Sequence, residues 1–309
     1  MNVSILIVNY NTSKYIERCV ESIIKYENTS EIEIIVVDNN STDNSKEIIS
    51  LLANKYGFVK AVFLDSNKGF AFGNNRGYDI SSGDYILILN PDICFREPLF
   101  ENLRQGLTKN IAAIAPKLYG EDGKYQFEYY QRFPSIRQYL FFYSIYAKFF
   151  KNRKRFIDKY LRDSNAVSNE KYPSITQLPG AFVFLKRDTF KAVKLFNEKY
   201  FLFFEDVELS YKLSKHGNLA LTSELGVIHT GASSMEQKTN DVLYGIFIIS
   251  MLKFFKYNYG FLKYIILLLL CLSNTLTKLI FNFFLSPFKK DLKGTSTAHK
   301  YILKNLYKI

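Results

Sequence analysis

The chain is poor in the residues that build metal clusters and covalent staples. Its three cysteines, Cys19, Cys94 and Cys271, are far apart and odd in number. They give no disulfide framework and no metal spacing, which favours a reducing compartment. Three histidines, His216, His229 and His299, offer no zinc motif. No G-x-G-x-x-G follows the first apolar run, and no G-x-x-x-x-G-K-[ST] occurs, so a dinucleotide fold and a P-loop are both disfavoured. The opening "MNVSILIVNYN" has no basic n-region, and its apolar run is too short for a secretory signal. The expectation is a cytoplasmic protein. Long apolar runs are scarce as well. Within residues 261–285 the longest, 264–272, has nine residues, against the roughly 20 mainly apolar ones of a spanning helix. Lys263, Asn274, Lys278 and Asn282 share one helical stripe there, which predicts a helix lying in a membrane interface rather than crossing it.

What is present is a large apolar share, 48% of 309 residues, enough for a sizeable core. The net charge of +12 is uneven. Residues 132–162 carry nine Lys/Arg and one acid, and residues 236–309 carry eleven Lys and three acids. Each segment is therefore +8, and the remainder of the chain is −4. Both are rich in Phe, Tyr and Leu. Such segments fit an anionic membrane surface better than nucleic acid, with two solvated helical faces as the plainer alternative.

The pattern along the chain alternates. Residues 3–8 read as a strand, followed by a helix with apolar positions Tyr15, Ile16, Cys19, Val20, Ile23 and Ile24, capped by Thr12 or Ser13. Residues 32–37, 59–64, 85–89 and 111–115 read as further strands, with helices between the earlier ones. This predicts an α/β fold with a mostly parallel, mixed sheet flanked by helices, in which ligands bind beyond the carboxyl ends of the strands. Those ends are Asn9-Tyr10-Asn11, Asp38-Asn39-Asn40, Asn67-Lys68-Gly69 and Asn90-Pro91-Asp92, all polar. The glycines of "GFAFGNNRG" recur every four residues, which suits helix packing or a tight turn more than phosphate binding. "YGEDGKY" is a hairpin signal, and "YLFFYSIYAKFFKNRKRF" reads as helical. "LPGAFVFLKRDTF" reads as a Pro-Gly turn, a strand and a helix start. Glu205, Asp206 and Glu208 open a helix, and a strand over 219–228 ends on His229.

Several of these positions can carry chemistry. Asp92, at a sheet edge behind a proline, can hold Mg²⁺ or Mn²⁺ through few carboxylates plus substrate phosphates; otherwise it is a turn residue. His229 is a candidate further ligand, or a buried structural histidine. Asp38 can accept from the imide N–H of uracil or thymine, or close an Asx turn. Glu205 and Asp206 sit where burial raises a carboxylate's pKa and the helix N-terminus lowers it, which suits a general base, or simply helix N-terminal acids.

The ordered set "VSILIVNYNTSKYIERCVESI", "EIIVVDNNSTDNS", "NKGFAFGNNRG", "LILNPDI", "LPGAFVFLKRDTF", "FNEKYFLFFEDVELSYKLSKHG" and "VIHTGASS" resembles family 2 glycosyltransferases of GT-A fold, particularly the rhamnosyltransferase-like branch. The resemblance covers about residues 3–234, apart from 126–178. It implies an inverting transfer of a sugar from a UDP- or dTDP-sugar to a lipid-linked saccharide, on the inner face of the plasma membrane. It implies that Tyr10 and Asp38 contact the base, that Asn67, Gly69 and Asn75 line the nucleotide-sugar pocket, and that Asn11 and Asn90 belong to that set. Asp92 takes the place of the metal-binding acid of D-x-D, and His229 completes the metal or diphosphate site. Asp206 takes the place of the base, with Glu205 positioning it. The first acid of D-x-D is Asn90 here, so one carboxylate replaces two, and Glu208 stands where many relatives have Asp. The expected domains are 1–235, catalytic, with halves 1–117 and 118–235, and 236–309, basic, aromatic and membrane-associated. Two alternatives stand beside this reading: a sugar-nucleotide nucleotidyltransferase and a non-catalytic nucleotide-sugar-binding subunit.

Overall fold

A strand buried on both faces needs an unbroken apolar run, and "VSILIVN" and "YILIL" supply two. Every residue of β1 (Val3–Asn9) and β4 (Tyr85–Leu89) is buried. The computed structural model describes residues 2–145, 147, 153–231, 240–285 and 292–309. Its remaining strands are β2 (Ile32–Asp38), β3 (Val59–Phe63), β5 (Ile93–Cys94), β6 (Ile111–Tyr119), β7 (Ser174–Ile175), β8 (Phe182–Lys186) and β9 (Asn218–His229). They form one sheet in the order β3-β2-β1-β4-β8-β6-β9-β5, with β7 on β9. The β3-β2-β1-β4 part is parallel, whereas β8 is antiparallel to both β4 and β6. β9 runs parallel to β6. The parallel character expected of the sheet thus belongs to its first half, and the second half mixes directions because an apolar strand run carries no mark of its direction.

The helices of the sheet-bearing part are α1 (Ser13–Tyr26), α2 (Ser45–Lys55), α3 (Phe70–Asp79) and α4 (Phe100–Gly106). After the short α5 (Ile136–Gln138) and α6 (Arg153–Tyr160) come α7 (Arg187–Ala192) and α8 (Glu205–Leu213). The apolar stripe Ile16, Cys19, Val20 and Ile23 of α1 is buried, as its spacing predicts. Gly73 and Gly77 let α3 lie close on the sheet. A Cβ at Gly73 would stand 2.8 Å from Val8 Cγ1, and one at Gly77 would stand 3.3 Å from Val37 Cγ2. The hairpin at Asp122-Gly123 forms, with Gly120 N donating to Lys124 O at 2.9 Å.

The chain divides into two compact units. The first holds Met1–Gln131, Arg162–Phe201 and Glu205–Glu236, and the second holds Arg132–Leu161, Leu202–Phe204 and Gln237–Ile309. Residues 132–161, the basic and aromatic stretch, therefore fold with the C-terminal part and not with the 118–235 half expected from sequence. The single helix expected over 139–156 is not continuous among the described residues. A wide helical turn covers Tyr139–Tyr143 and ends at extended Ser144, and α6 starts afresh at Arg153.

The second unit is built on α9 (Asn240–Phe254), α10 (Phe261–Leu285) and α11 (Leu292–Asn305). In α10 the two asparagines of the expected polar stripe face inward, whereas Lys278 is half-buried and Lys263 exposed. Asn274, Thr275 and Asn282 are buried, while Phe261, Leu269, Leu276, Ile280 and Phe284 are exposed. Asn274 Oδ1 accepts from Ile145 N at 2.8 Å, which satisfies the amide inside the unit. Phe261–Phe284 is long and apolar enough, by length and composition, to cross a membrane.

Candidate active site

Strand direction decides which loops meet. β1, β2, β3 and β4 are parallel, and β6 and β9 run the same way because β8 reverses once on each side. Asn9, Asp38, Asn90 and His229 therefore come to one sheet edge. The start of β8, just after Pro179-Gly180, comes to the same edge.

At β1 and β2 that edge is a closed polar network. Asp38 is fully buried. Its Oδ1 accepts from Asn9 Nδ2 at 2.9 Å and its Oδ2 from Ser41 N at 2.8 Å. The structure thus places Asp38 as the anchor of its loop rather than as an open acceptor. Asn11, at φ 53°, accepts from Thr42 N at 2.7 Å through Oδ1. Thr12 precedes α1 but does not cap it, because its hydroxyl donates to Asn9 Oδ1. Asp43 caps instead. Its Oδ2 accepts from Ser13 N at the start of α1, and its Oδ1 from Ser45 N at the start of α2, both at 3.0 Å. The Tyr10 side chain is left at the surface, 36% exposed.

Asn67 and Gly69 are joined by Asn39. Asn39 Nδ2 donates to Asn67 Oδ1 at 3.0 Å and to Gly69 O at 3.1 Å. Its Oδ1 accepts from Lys68 N at 3.2 Å. Gly69 has φ +95°, and a Cβ there would fall 2.3 Å from Phe201 O, so only glycine fits both demands. Asn75 lies apart from this group. Its Nδ2 donates to Phe196 O at 3.0 Å and Glu198 Oε1 at 2.8 Å, and its Oδ1 accepts from Phe196 N. The amide clamps the 196–198 segment, with both ends used.

Asp92 and His229 are brought together by β5. Two residues, Ile93 and Cys94, pair with His229 and Ile228 of β9. Asp92 O accepts from Thr230 N at 3.1 Å, and Asp92 Oδ2 accepts from Gly231 N at 3.2 Å. Asp92 Oδ2 stands 3.8 Å from His229 Nε2, with both side chains buried. Gln126 fixes the ring. Its Nε2 donates to His229 O at 2.9 Å, which leaves its Oε1 2.8 Å from His229 Nδ1 as the acceptor. Nδ1 therefore carries the proton, and the Nε2 lone pair lies on the Asp92 side. Burial lowers the His229 pKa against the opposing pull of Asp92 and Glu128, so the ring is neutral at pH 7. Tyr129 packs edge-on to it, centroids 4.9 Å apart.

A carboxylate oxygen and a nitrogen lone pair facing each other form half of a cation site. Among the described residues no third His, Cys, Asp or Glu joins them. Two protein donors suit Mg²⁺ or Mn²⁺, which bind through few protein groups and complete their shell with water and phosphate oxygens.

Glu205 and Asp206 open α8 behind a strained approach, since Phe203 and Phe204 have φ of 65° and 69°. Glu205 is buried, and its Oε2 has no hydrogen-bond partner among the described residues. Burial, reinforced by Asp206, pushes Glu205 well above the usual carboxylate range. Burial raises Asp206 too, against backbone N–H groups that hold it down. Asp206 Oδ1 accepts from Val207 N at 2.8 Å. Gly180 makes room for this carboxylate, since a Cβ there would lie 2.5 Å from Asp206 Oδ2. The next residue, Ala181, accepts through its carbonyl from Asn90 N at 2.9 Å. A continuous path, Asp206–Gly180–Ala181–Asn90–Asp92, thus links the raised carboxylate to the candidate cation site. Glu208 is occupied elsewhere, its Oε1 accepting from Asn197 Nδ2 at 3.3 Å.

Sequence reading missed Asn39, Asp43, Gln126 and Gly180. The glycine was legible as the turn residue of "LPGAF", but its partner Asp206 lies 26 positions on. Gln126 carries no motif at all.

The glycosyl transferase family 2 model matches residues 4–168. Glycosyltransferase GlyG of Streptococcus pneumoniae is 36% identical over 114 residues, 36% of this chain and 37% of that protein. The teichoic acid poly(glycerol phosphate) polymerase of Staphylococcus epidermidis is 31% identical over 90 residues, 29% of this chain and 12% of that one. The matches thus span well under half of these curated relatives. Among solved structures, S. aureus TarS 1–349 in complex with UDP-GlcNAc superposes with a TM-score of 0.56 at 16% identity, over 83% of this chain and 67% of that one. GalNAc-T7 with UDP, GalNAc and Mn²⁺ gives 0.55 at 16% identity, over 74% and 43%. Both likenesses are of fold.

Proposed function

The chain belongs to glycosyl transferase family 2, and from that premise we propose that it transfers a sugar, with inversion, from a UDP- or dTDP-sugar to a hydroxyl of a lipid-linked saccharide in cell-surface polysaccharide synthesis. The observation that carries the proposal is the single sheet edge at which the raised Asp206 carboxylate, seated on Gly180, connects to Asp92 and His229. Rhamnose is the donor sugar to test first. TarS, of similar fold, has been solved with UDP-GlcNAc, which supports a uridine nucleotide as an equal candidate.

Each residue's part follows from its position. Tyr10, exposed at the end of β1, offers a face to the base, and the Asp38 network shapes the loop beside it. Asn11, Asn67, Gly69 and Asn90 border the donor, while Asn75 supports the floor from behind. Asp206 accepts the proton of the acceptor hydroxyl as its oxygen attacks the anomeric carbon. The C–O bond to the diphosphate breaks on the opposite face, through a transition state of oxocarbenium character. Glu205, the preceding residue on α8, positions it, and burial together with Asp206 raises the Glu205 carboxyl itself. Asp92 and His229 would hold Mg²⁺ or Mn²⁺, which when bound offsets charge on the departing diphosphate. The outward apolar face of α10 and the two basic segments suit the inner surface of the plasma membrane.

The test is a panel of UDP-, dTDP- and GDP-sugars, assayed for binding and transfer with and without Mn²⁺. Asp206→Asn is expected to keep donor binding and lower transfer by about 10²–10⁴-fold. Full transfer by both Asp206→Asn and Asp92→Ala with the right donor would overturn the assignment.

A further inference from the structure

The second unit contains a cavity of about 610 Å³, within the size range of ligand pockets. Among the described residues, four cationic side chains line it, Arg132, Arg137, Lys159 and Lys263, and no acidic one does. They come from three separate segments of the chain. Three of them stand over aromatic faces. Arg137 Cζ and Lys159 Nζ lie 6.0 and 5.3 Å from the centre of the Tyr160 ring, and Lys263 Nζ lies 5.1 Å from that of Tyr259. Phe133, Ile136 and Phe255 complete an apolar wall. The 135–138 turn that carries Arg137 is held by a reciprocal cap, with Ser135 and Gln138 bonded to each other's backbone N–H.

Four cationic groups around one hollow raise the local positive potential and favour an anion there. The wall adds a second demand. A free phosphate would use the cations alone, whereas an uncharged lipid would use the apolar wall alone. Only a molecule with an anionic head and an apolar tail uses both. Lys263 also lies in the first turn of α10, next to Phe261 and Leu262, which are 77% and 73% exposed. The cationic lining is thus continuous in sequence with the outward apolar face, and that continuity suits a ligand whose tail lies in a membrane.

We propose that this cavity binds the terminal phosphate or diphosphate of a lipid carrier, with the cations on the head and the aromatic wall against the start of the chain. A head with two or more negative charges matches four cations better than a phosphodiester with one. The inference deepens the lipid-linked acceptor reading and rests on it for the source of the lipid, while the binding itself is tested separately.

The experiment uses the purified full chain and dodecyl phosphate below its micelle concentration, measured by calorimetry. The comparisons are inorganic pyrophosphate, dodecyl maltoside and phosphatidylglycerol vesicles. Dodecyl phosphate is expected to bind more tightly than any of them. Lys159→Ala with Lys263→Ala, both exposed positions, should weaken it by about tenfold per lysine, and the paired Arg replacements should retain it. UDP- or dTDP-sugar binding should be unchanged in the same variants, which also shows that they are folded. Equal binding of pyrophosphate or of dodecyl maltoside, equal displacement by phosphatidylglycerol, or no loss in the double alanine variant would each overturn the proposal. If no lipid-linked acceptor is glycosylated but dodecyl phosphate binding still depends on these lysines, the cavity stands and the acceptor reading falls.

Discussion

The two ends of the sheet use the same side chain in opposite ways. At the end where β1, β2 and β3 begin, Glu33 is saturated. Its Oε1 accepts from Ser4 Oγ at 2.6 Å and from Ser82 N at 2.5 Å, and its Oε2 accepts from Lys60 Nζ at 2.7 Å. Ser82 Oγ and Gly83 N add to Oε1. Burial alone would raise its pKa, but these bonds outweigh burial and bring it down to about 2. At the end where those strands finish, Glu205 is buried with one oxygen unpartnered among the described residues, and its pKa goes up. A saturated carboxylate stabilises the fold and has no capacity left for a substrate. An unsaturated one destabilises the fold and keeps that capacity. The proposed chemistry uses the second end, and each end can be altered separately.

The largest effect should come from the seat of Asp206. Gly180→Ala would place a methyl group 2.5 Å from Asp206 Oδ2, which forces the carboxylate to move. A displacement of that order at a general base lowers turnover by about 10²-fold. Sugar transfer in the variant should fall by about that factor while donor affinity holds, because the added methyl meets Asp206, the proposed base. A fall in donor affinity with turnover unchanged would put the donor at Gly180 and break the division of roles at this edge.

A smaller effect is expected where the site depends on a neighbour. Gln126→Leu removes the acceptor that keeps the proton on His229 Nδ1. The ring is then free to place its proton on Nε2, the nitrogen facing Asp92. Loss of such an orienting partner weakens metal affinity by about 10–100-fold. Mn²⁺ titration followed by its electron paramagnetic resonance signal measures this without any turnover. Unchanged Mn²⁺ affinity in Gln126→Leu would mean that His229 is a structural histidine, leaving Asp92 as the protein's ligand.

These parts of the molecule were unequally legible. The first half of the sheet could be read because strands buried on both faces are continuous apolar runs, and because the stripe of α1 repeats at helical spacing. The carboxylates Asp92 and Asp206 could be located because each follows an apolar run or opens a helix. Their neighbours could not. β5 is two residues long, and its partner lies more than 130 positions away in sequence, so nothing local announces that Asp92 meets His229. Gln126 and Asn39 act only through three-dimensional proximity. Asp38 and Asn75 stood at the right edge or helix for donor contact, yet their polar atoms are engaged within the protein, and sequence position alone does not reveal that. Residues 132–161 were recognisable as basic and aromatic, but their association with the C-terminal unit depends on packing over a long separation.

The smallest effect tests the comparison of the two ends most directly, because it should change sign between them. Glu33 has a depressed pKa in the folded state, so its stabilising contribution is present above the ordinary glutamate value of 4.5 and is lost as pH falls toward about 2. Glu33→Gln should therefore lower stability at pH 7 by about 1–2 kcal/mol, a figure reduced from the full linkage value because the Lys60 partner is partly exposed. That deficit should shrink as acid is added. Glu205 has a raised pKa, so its contribution is present below 4.5 and is lost as pH climbs above it. Glu205→Gln removes the cost of keeping this carboxyl protonated when the unfolded chain would ionise it, and should raise stability at pH 7 by about 1 kcal/mol while impairing transfer. Urea unfolding of both variants at pH 7 and pH 4 decides the matter. If Glu205→Gln destabilises as Glu33→Gln does, then Glu205 is a structural carboxylate, and the unpartnered oxygen does not mark a site held ready for a substrate.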